Sequence, residues 1–248
     1  MLVWEDLNDV KRYDSILDKI APLAKCSDNM VPLSRSVKAS FKAWEYPFTY
    51  LWLKELDKQR RSRNKNLLPL RVMDFGCGVS MFPEFLAREG FDAWGVDNDA
   101  HHYIEPVKED MRKCYPNVKY WIDDVFNFPE ATKFDAIVSC SVLEHLTPSA
   151  FRLKVVRKLK SLLKPTGKML HVVDFYFPEM GASEDATIDM YEMGQEFSFD
   201  VGDLKMCPGS PIFDFEKIRD EINFIVPLLH PIKPKKKFQA RIAIGDDI

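Results

Sequence analysis

The chain has 248 residues, 46% of them hydrophobic, with 35 Lys and Arg against 38 Asp and Glu and a formal net charge of −3. That much apolar material excludes wholesale disorder and allows one large domain, or one domain with an extension. The near balance of charge argues against nucleic acid as a partner.

The first residues, Met1-Leu2-Val3-Trp4-Glu5-Asp6, have neither the basic nor the apolar region of a signal peptide. The longest charge-free apolar run, near Ile222–Ile232, is interrupted by Pro227 and falls far short of the roughly 20 residues that cross a bilayer. Five cysteines (Cys26, Cys77, Cys114, Cys140, Cys207) form no Cys-x-x-Cys pair, and the five His add no metal-ligand spacing. Free thiols, no metal, no membrane span and a cytoplasmic location are the expectations.

Residues 1–69 read as a helical extension. Val3, Leu7, Val10, Leu17 and Ile20 fall close to one helical stripe, and Phe48, Leu51, Trp52 and Leu56 form a second after Pro47. Pro47 suits a first helical turn. The run Arg60-Arg61-Ser62-Arg63-Asn64-Lys65-Asn66 reads as a solvated linker.

From Leu70 strand and helix alternate. Strands are expected at Leu70–Asp74, Asp92–Asp97, Val118–Ile122, Phe134–Ser139 and Gly167–Asp174. Between them a helix capped by Ser80 runs to Glu89, with Gly90 ending it, and a second lies around Pro106–Cys114. A third opens at Thr147-Pro148, buries Phe151, Val155, Leu159 and Leu162, and stops at Lys164-Pro165-Thr166-Gly167. This rhythm predicts a doubly wound parallel sheet, with its ligand at the carboxyl ends of the strands. Residues 174–213 then break the pattern with four glycines, nine acids and one basic residue, Lys205. They read as an acidic insertion, either a substrate lid or a surface loop. The helix Phe215–Glu221 and the strands Phe224–Leu229 and Phe238–Ile244 close the chain, with Lys233, Lys235, Lys236 and Lys237 in an exposed loop between the strands.

One stretch carries the chemistry. Val72-Met73-Asp74-Phe75-Gly76-Cys77-Gly78-Val79-Ser80 is a buried strand ending in an acid, a Gly-x-Gly turn and a helix start. Glycine lets a ligand approach the main chain. Alone, the turn says only that a nucleotide-like ligand can sit here. Asp97, at the end of the second strand and 21 residues after Gly76, can accept hydrogen bonds from ribose hydroxyls. It would serve a nicotinamide enzyme as well. Met81 stands where a dinucleotide loop needs its third glycine, which weighs against that reading.

Asp74–Ser80 resembles motif I of the class I S-adenosylmethionine-dependent methyltransferases, with Ser80 in place of the third glycine. Asp123-Asp124-Val125-Phe126-Asn127-Phe128-Pro129, Phe134–Leu146 and Leu163–Met169 resemble further segments of that family, and together they cover roughly residues 70–174. The resemblance implies an α/β class I fold: a doubly wound, mostly parallel seven-stranded sheet over residues 70–248, with the extension before it and the insertion after strand five. It implies S-adenosylmethionine as cofactor. Asp74, Gly76, Cys77 and Gly78 would cradle it, Asp97 and Asn98 would hold the ribose, and Asp124 (or Asp123 in exchange) with Val125 and Phe126 the adenine. Backbone from Ser139 to Ser141, including Cys140, would lie near the methionine end.

Methyl transfer by in-line displacement then asks mainly for alignment. His145 is the candidate general base, since an unperturbed imidazole titrates near about pH 6.5. Glu144 beside it is a second catalytic candidate, and both equally suit a purely structural role. Trp44, Tyr46, Tyr176 and Tyr191 are candidate substrate contacts, with Trp44 and Tyr46 equally suited to the core. A small or medium-sized metabolite is the expected acceptor, because the insertion's charge would repel phosphate backbones. Protein or RNA methylation, and a non-catalytic regulatory or scaffold protein of the same fold, stay open as alternatives.

Overall fold

The computed structural model describes residues 10–25, 42–100, 102, 104–176, 205–206 and 239–245. Helix α1 (Val10–Ile20) and a 3-10 turn (Ala21–Lys25) precede the long helix α2 (Lys42–Arg63). There follow β1 (Arg71–Phe75), α3 (Phe82–Arg88), β2 (Asp92–Asp97), α4 (Lys108–Cys114), β3 (Lys119–Ile122), β4 (Phe134–Cys140), α5 (Ser149–Ser161) and β5 (Leu163–Tyr176). Two further strands, β6 (Lys205–Met206) and β7 (Gln239–Gly245), complete one sheet in the order β3-β2-β1-β4-β5-β7-β6. Strands β1 to β5 run parallel, while β7 pairs antiparallel with both β5 and β6.

Alternation within each strand sorts the core into two layers. Val72, Ala93, Ala136, Val138, Leu170 and Val172 share one cluster with α1, α2, α3 and α4. Met73, Val96, Ile137, Met169 and Val173 share the other with α5. Side chains of successive strand residues point to opposite faces, so a strand covered on both sides must be apolar throughout. The expected doubly wound parallel core is what these five strands form.

The N-terminal helices belong to the first layer. Tyr13, Ile16, Leu17 and Ile20 of α1 are buried with Phe48, Leu51, Trp52 and Leu53 of α2. Helix α2 starts at Lys42, so Pro47 lies in its second turn rather than its first. The helix also runs through Arg60, Arg61 and Arg63, which the sequence reading placed in a linker. Arg60 closes that end by donating to the Leu68 carbonyl at 2.7 Å and pairing with Asp135 at 3.1 Å.

Other boundaries move for physical reasons. Ser80 stands one residue before the N-cap Met81 and accepts from the Phe82 amide at 3.0 Å. Helix α5 buries Arg152 and leaves Phe151 38% exposed, because the Arg152 Nε donates to the Leu143 carbonyl at 2.8 Å. Strand β5 begins at Leu163, with a register shift opposite Phe134 and Ala136. The short strand Lys205–Met206 inside the acidic insertion was not expected. Val3, Leu7, the helix Phe215–Glu221, the strand Phe224–Leu229, the lysine run and the rest of the insertion lie outside the described residues.

The free-thiol expectation needs a correction. Cys77 and Cys140 are free, but Cys114 is disulfide-bonded, to a partner outside the described residues. Among the described residues no helix is long and apolar enough to cross a membrane.

If α2 and the sheet share one core, Leu53→Ala should lower unfolding stability by about 2–5 kcal/mol, as for other fully buried leucines. Urea titrations followed by tryptophan fluorescence and by far-ultraviolet circular dichroism should shift together. A shift in one probe alone would mean that the extension unfolds separately.

Candidate active site

The carboxyl end of β1 runs into a turn that backbone geometry makes compulsory. Gly76 has φ +71° and Gly78 φ +51°, both in the left-handed region. A Cβ on Gly76 would come within 2.5 Å of both Val142 methyl groups. A Cβ on Gly78 would meet no described residue within 4 Å. The amides of Gly76 and Cys77 converge on the Val96 carbonyl, at 2.7 and 3.3 Å. The Gly78 amide donates to Asp97 Oδ2 at 2.9 Å. Gly95 must also lack a side chain, since a Cβ there would lie 2.7 Å from the Tyr120 ring and 2.9 Å from Cys77 Sγ.

Asp97 thus fastens the glycine turn to β2, and its second oxygen accepts from the Asp99 amide at 2.7 Å. Each carboxylate oxygen still has acceptor capacity, since an ionised carboxylate offers about four lone-pair sites. Asn98 is exposed, and its Oδ1 takes the Ala100 amide at 3.1 Å. Asp99, at φ +51°, accepts from the Ile104 and Glu105 amides at 2.8 and 3.0 Å. The whole loop after β2 is therefore held by its own acids.

After β3, Asp124 Oδ1 caps the 3-10 turn Val125–Asn127 by accepting from the Phe126 amide at 2.9 Å. Asp123 is exposed and accepts from the Asp124 amide at 2.6 Å. Val125 is buried, whereas Phe126 is 41% exposed and pairs with Phe151 at 6.2 Å between ring centroids. The two rings form an exposed aromatic rim, not a closed wall.

The end of β4 supplies the floor. Ser139 is fully buried, and its Oγ lies 2.7 Å from His171 Nδ1 on β5. Burial pushes the His171 imidazole down to about 3, so it is neutral near pH 7. Glu144 is buried and His145 exposed on the 3-10 turn that follows, so only His145 is open to a substrate. Cys77 and Cys140 are pushed up by burial and stay protonated, which suits packing rather than nucleophilic attack.

Helix α2 crosses above these strands. Tyr46 is 6% exposed, stacks on Phe82 at 4.5 Å between centroids and shares a 2.9 Å hydrogen bond with Ser80 Oγ. It is a core anchor that touches the edge of the turn. The side chains of Trp44 and Tyr176, and all of Tyr191, lie outside the described residues.

Sequence reasoning missed two residues of α2. Lys42 Nζ reaches the Cys140 carbonyl at 3.0 Å, Ser141 Oγ at 3.2 Å and Glu45 Oε2 at 2.5 Å. Glu45 is fully buried. A Lys and a Glu three apart, just before a proline in the otherwise apolar first half of this helix, were the available signal. His171 carried no signal beyond an imidazole in an apolar strand.

Asp74 is 4% exposed. Burial pushes its carboxyl up to about 7, against the pull of Lys42 and with help from Asp97. A cavity of about 310 Å³ lined by Ile104, Lys108, Met111, Arg112, Val118, Tyr120 and Ile122 lies along the outer strand β3, and none of these residues belongs to the glycine turn. A glycine turn with no described residue above Gly78 and an acid at the end of each of the first two strands fit a cationic, ribose-bearing cofactor.

Two outcomes follow from this geometry. Gly76→Ala should abolish ligand binding at the turn, because both φ and Val142 reject a methyl group; dialysis with labelled nucleoside checks it, and intact binding would refute the tight turn. Asp74 keeps its proton to about pH 7 when folded but releases it at about 3.9 when unfolded. Between those values the folded state binds more protons, so stability falls as pH rises from about 4 to about 7 and then levels. Guanidinium unfolding across that range should show the fall in the wild type and a flatter curve in Asp74→Asn.

Comparison with known proteins agrees with the geometry. The model of a family described as "Methyltransferase domain" matches residues 29–198, more than half of the chain. A ubiquinone biosynthesis O-methyltransferase of Nitrobacter winogradskyi is 30% identical over 116 residues, covering 47% of this chain and 42% of that protein. One from Coxiella burnetii is 30% identical over 118 residues, covering 47% of each. The match therefore spans less than half the length of these relatives. An S-adenosylmethionine-dependent methyltransferase structure from Clostridium acetobutylicum superposes with a TM-score of 0.48 at 13% identity, over 77% of this chain and 88% of that one. A glycine turn, acids closing β1 and β2, a doubly wound sheet and a family model over most of the chain converge: the chain belongs to the class I S-adenosylmethionine-dependent methyltransferases.

Proposed function

We propose that this enzyme transfers the methyl group of S-adenosylmethionine to a small or medium-sized metabolite. The observation that carries the reading is the turn itself. It is pre-organised by Val96 and Asp97, and no described residue stands above Gly78. The names of the similar O-methyltransferases favour an oxygen acceptor.

In this reading Asp97 accepts from the ribose hydroxyls with the capacity that Gly78 and Asp99 leave, and Asn98 borders the ribose. Asp124 and Val125 edge the adenine position, with Asp123 behind them and Phe126 on the open rim. Asp74, Gly76, Cys77 and Gly78 border the methionine end, with the backbone of Ser139 and Cys140 beneath. When bound, the sulfonium supplies an activated methyl group and departs as a neutral thioether. The chain's own work is to align the acceptor and exclude water. In the same reading His145, exposed on the turn after β4, takes the proton from an acceptor hydroxyl. Buried Glu144 shapes the turn that carries it. Residues 1–69 and 174–213 act as walls of the acceptor site, with residues 70–248 as the cofactor-binding domain.

Asp97→Ala should weaken S-adenosylhomocysteine binding by roughly 3 kcal/mol, about a hundredfold, through lost charge-assisted hydrogen bonds. Titration calorimetry on the folded variant measures it, and unchanged affinity sinks the ribose assignment. S-adenosylhomocysteine should also raise the melting temperature of the wild type more than NADH does. The reverse order would favour an oxidoreductase.

A further inference from the structure

The loop that leaves β4 is built against its local preference. Ser141 has φ +59°, a conformation that residues with a Cβ rarely adopt. Its amide still extends the sheet by donating to the Val172 carbonyl at 2.7 Å. Val142 follows, with its methyl groups against the Cα of Gly76. Any drift of Ser141 therefore carries Val142 off the glycine turn.

Helix α2 supplies the restraint. Ser141 Oγ donates to Glu45 Oε1 at 2.9 Å and lies 3.2 Å from Lys42 Nζ. The same ammonium reaches the Cys140 carbonyl at 3.0 Å and the other Glu45 oxygen at 2.5 Å. Glu45 is fully buried, and the Lys42 side chain is 30% exposed. Thr49, one turn further along, lies 3.6 Å from Cys140 Sγ. Burial opposes the Lys42 ammonium, but its surroundings, the paired Glu45 carboxylate among them, more than offset this, so Lys42 is held above its usual range and stays charged. A buried ion pair adds little net stability over an apolar pair of the same volume. What it adds is a fixed register between groups that are 96 to 99 residues apart in the chain.

We propose that Lys42 and Glu45 are positioning residues for methyl transfer. They bolt Ser141 in its left-handed shape, so that the loop after β4 holds Val142 on the glycine turn and presents the backbone of Ser139–Ser141 to the cofactor. The inference rests on the methyltransferase reading above. Neither residue is a catalytic residue, and each acts through Ser141. The segment before the parallel sheet is thereby part of the cofactor site and not a separate cap.

The test separates position from stability. Lys42→Met alone strands a buried carboxylate, so it should destabilise the chain. The double variant Lys42→Met with Glu45→Gln removes both charges. It should melt close to the wild type yet bind S-adenosylhomocysteine at least about tenfold more weakly, a loss of about 1.4 kcal/mol, because the loop that faces the cofactor is no longer held. Ser141→Gly, which removes the clasp and permits any φ, is the second variant and should lose a similar factor even where the double variant fails to fold. Calorimetry gives affinity and thermal melting gives stability for each. Wild-type affinity in either folded variant overturns the proposal. No binding of S-adenosylhomocysteine by the wild type overturns the cofactor reading itself, and the proposal with it.

Discussion

Two amides and one carbonyl set the frame of this enzyme. The N–H groups of Gly76 and Cys77 point at the Val96 carbonyl, which ties the end of β1 to the end of β2. That bond is possible only because Gly76 takes a positive φ and offers no Cβ to Val142. Everything nearby follows from it. Gly78 is turned so that its amide meets Asp97, helix α3 begins four residues later with Phe82 stacked on Tyr46, and no described residue stands above Gly78.

Charge is distributed around this frame in an orderly way. Most acids near the turn accept from backbone amides: Asp97 from Gly78 and Asp99, Asp99 from Ile104 and Glu105, Asp124 from Phe126. Such bonds hold loops in one shape while leaving lone pairs for a ligand. Asp74 differs. It is buried next to the Lys42 cation and the Asp97 carboxylate and keeps its proton to about pH 7. Glu84 shows the opposite use of a buried carboxylate. It is satisfied by Arg88 and Asn117 and serves the packing of α3 against the turn before β3.

Much of this was legible in the sequence because it depends on local rules. Strand cores are apolar throughout, glycines mark left-handed turns, and acids at strand ends mark sites. Gly76, Gly78 and Gly90 take the positive φ that such rules lead one to expect, and Asp97 closes β2 by accepting from the Gly78 amide. Errors came where a distant partner overrode the local pattern. Phe151 fits the apolar stripe of α5, yet Arg152 is buried in its place because the Leu143 carbonyl accepts from it. Arg60 looks like a linker residue until Asp135 and the Leu68 carbonyl hold it in a helix end. Cys114 looks free because a disulfide partner cannot be read from spacing.

By itself the sequence determined the class of fold through its order of strands, and its resemblance to one family implied the cofactor and the kind of reaction. Tertiary structure alone decided how that turn is braced. Lys42 and Glu45 mean nothing until α2 lies across β4, and Ser141 gives no sign of a positive φ until both reach it. The reason is physical: periodicity and turn chemistry act over a few residues, whereas a buried charge is specified by whatever the fold brings beside it.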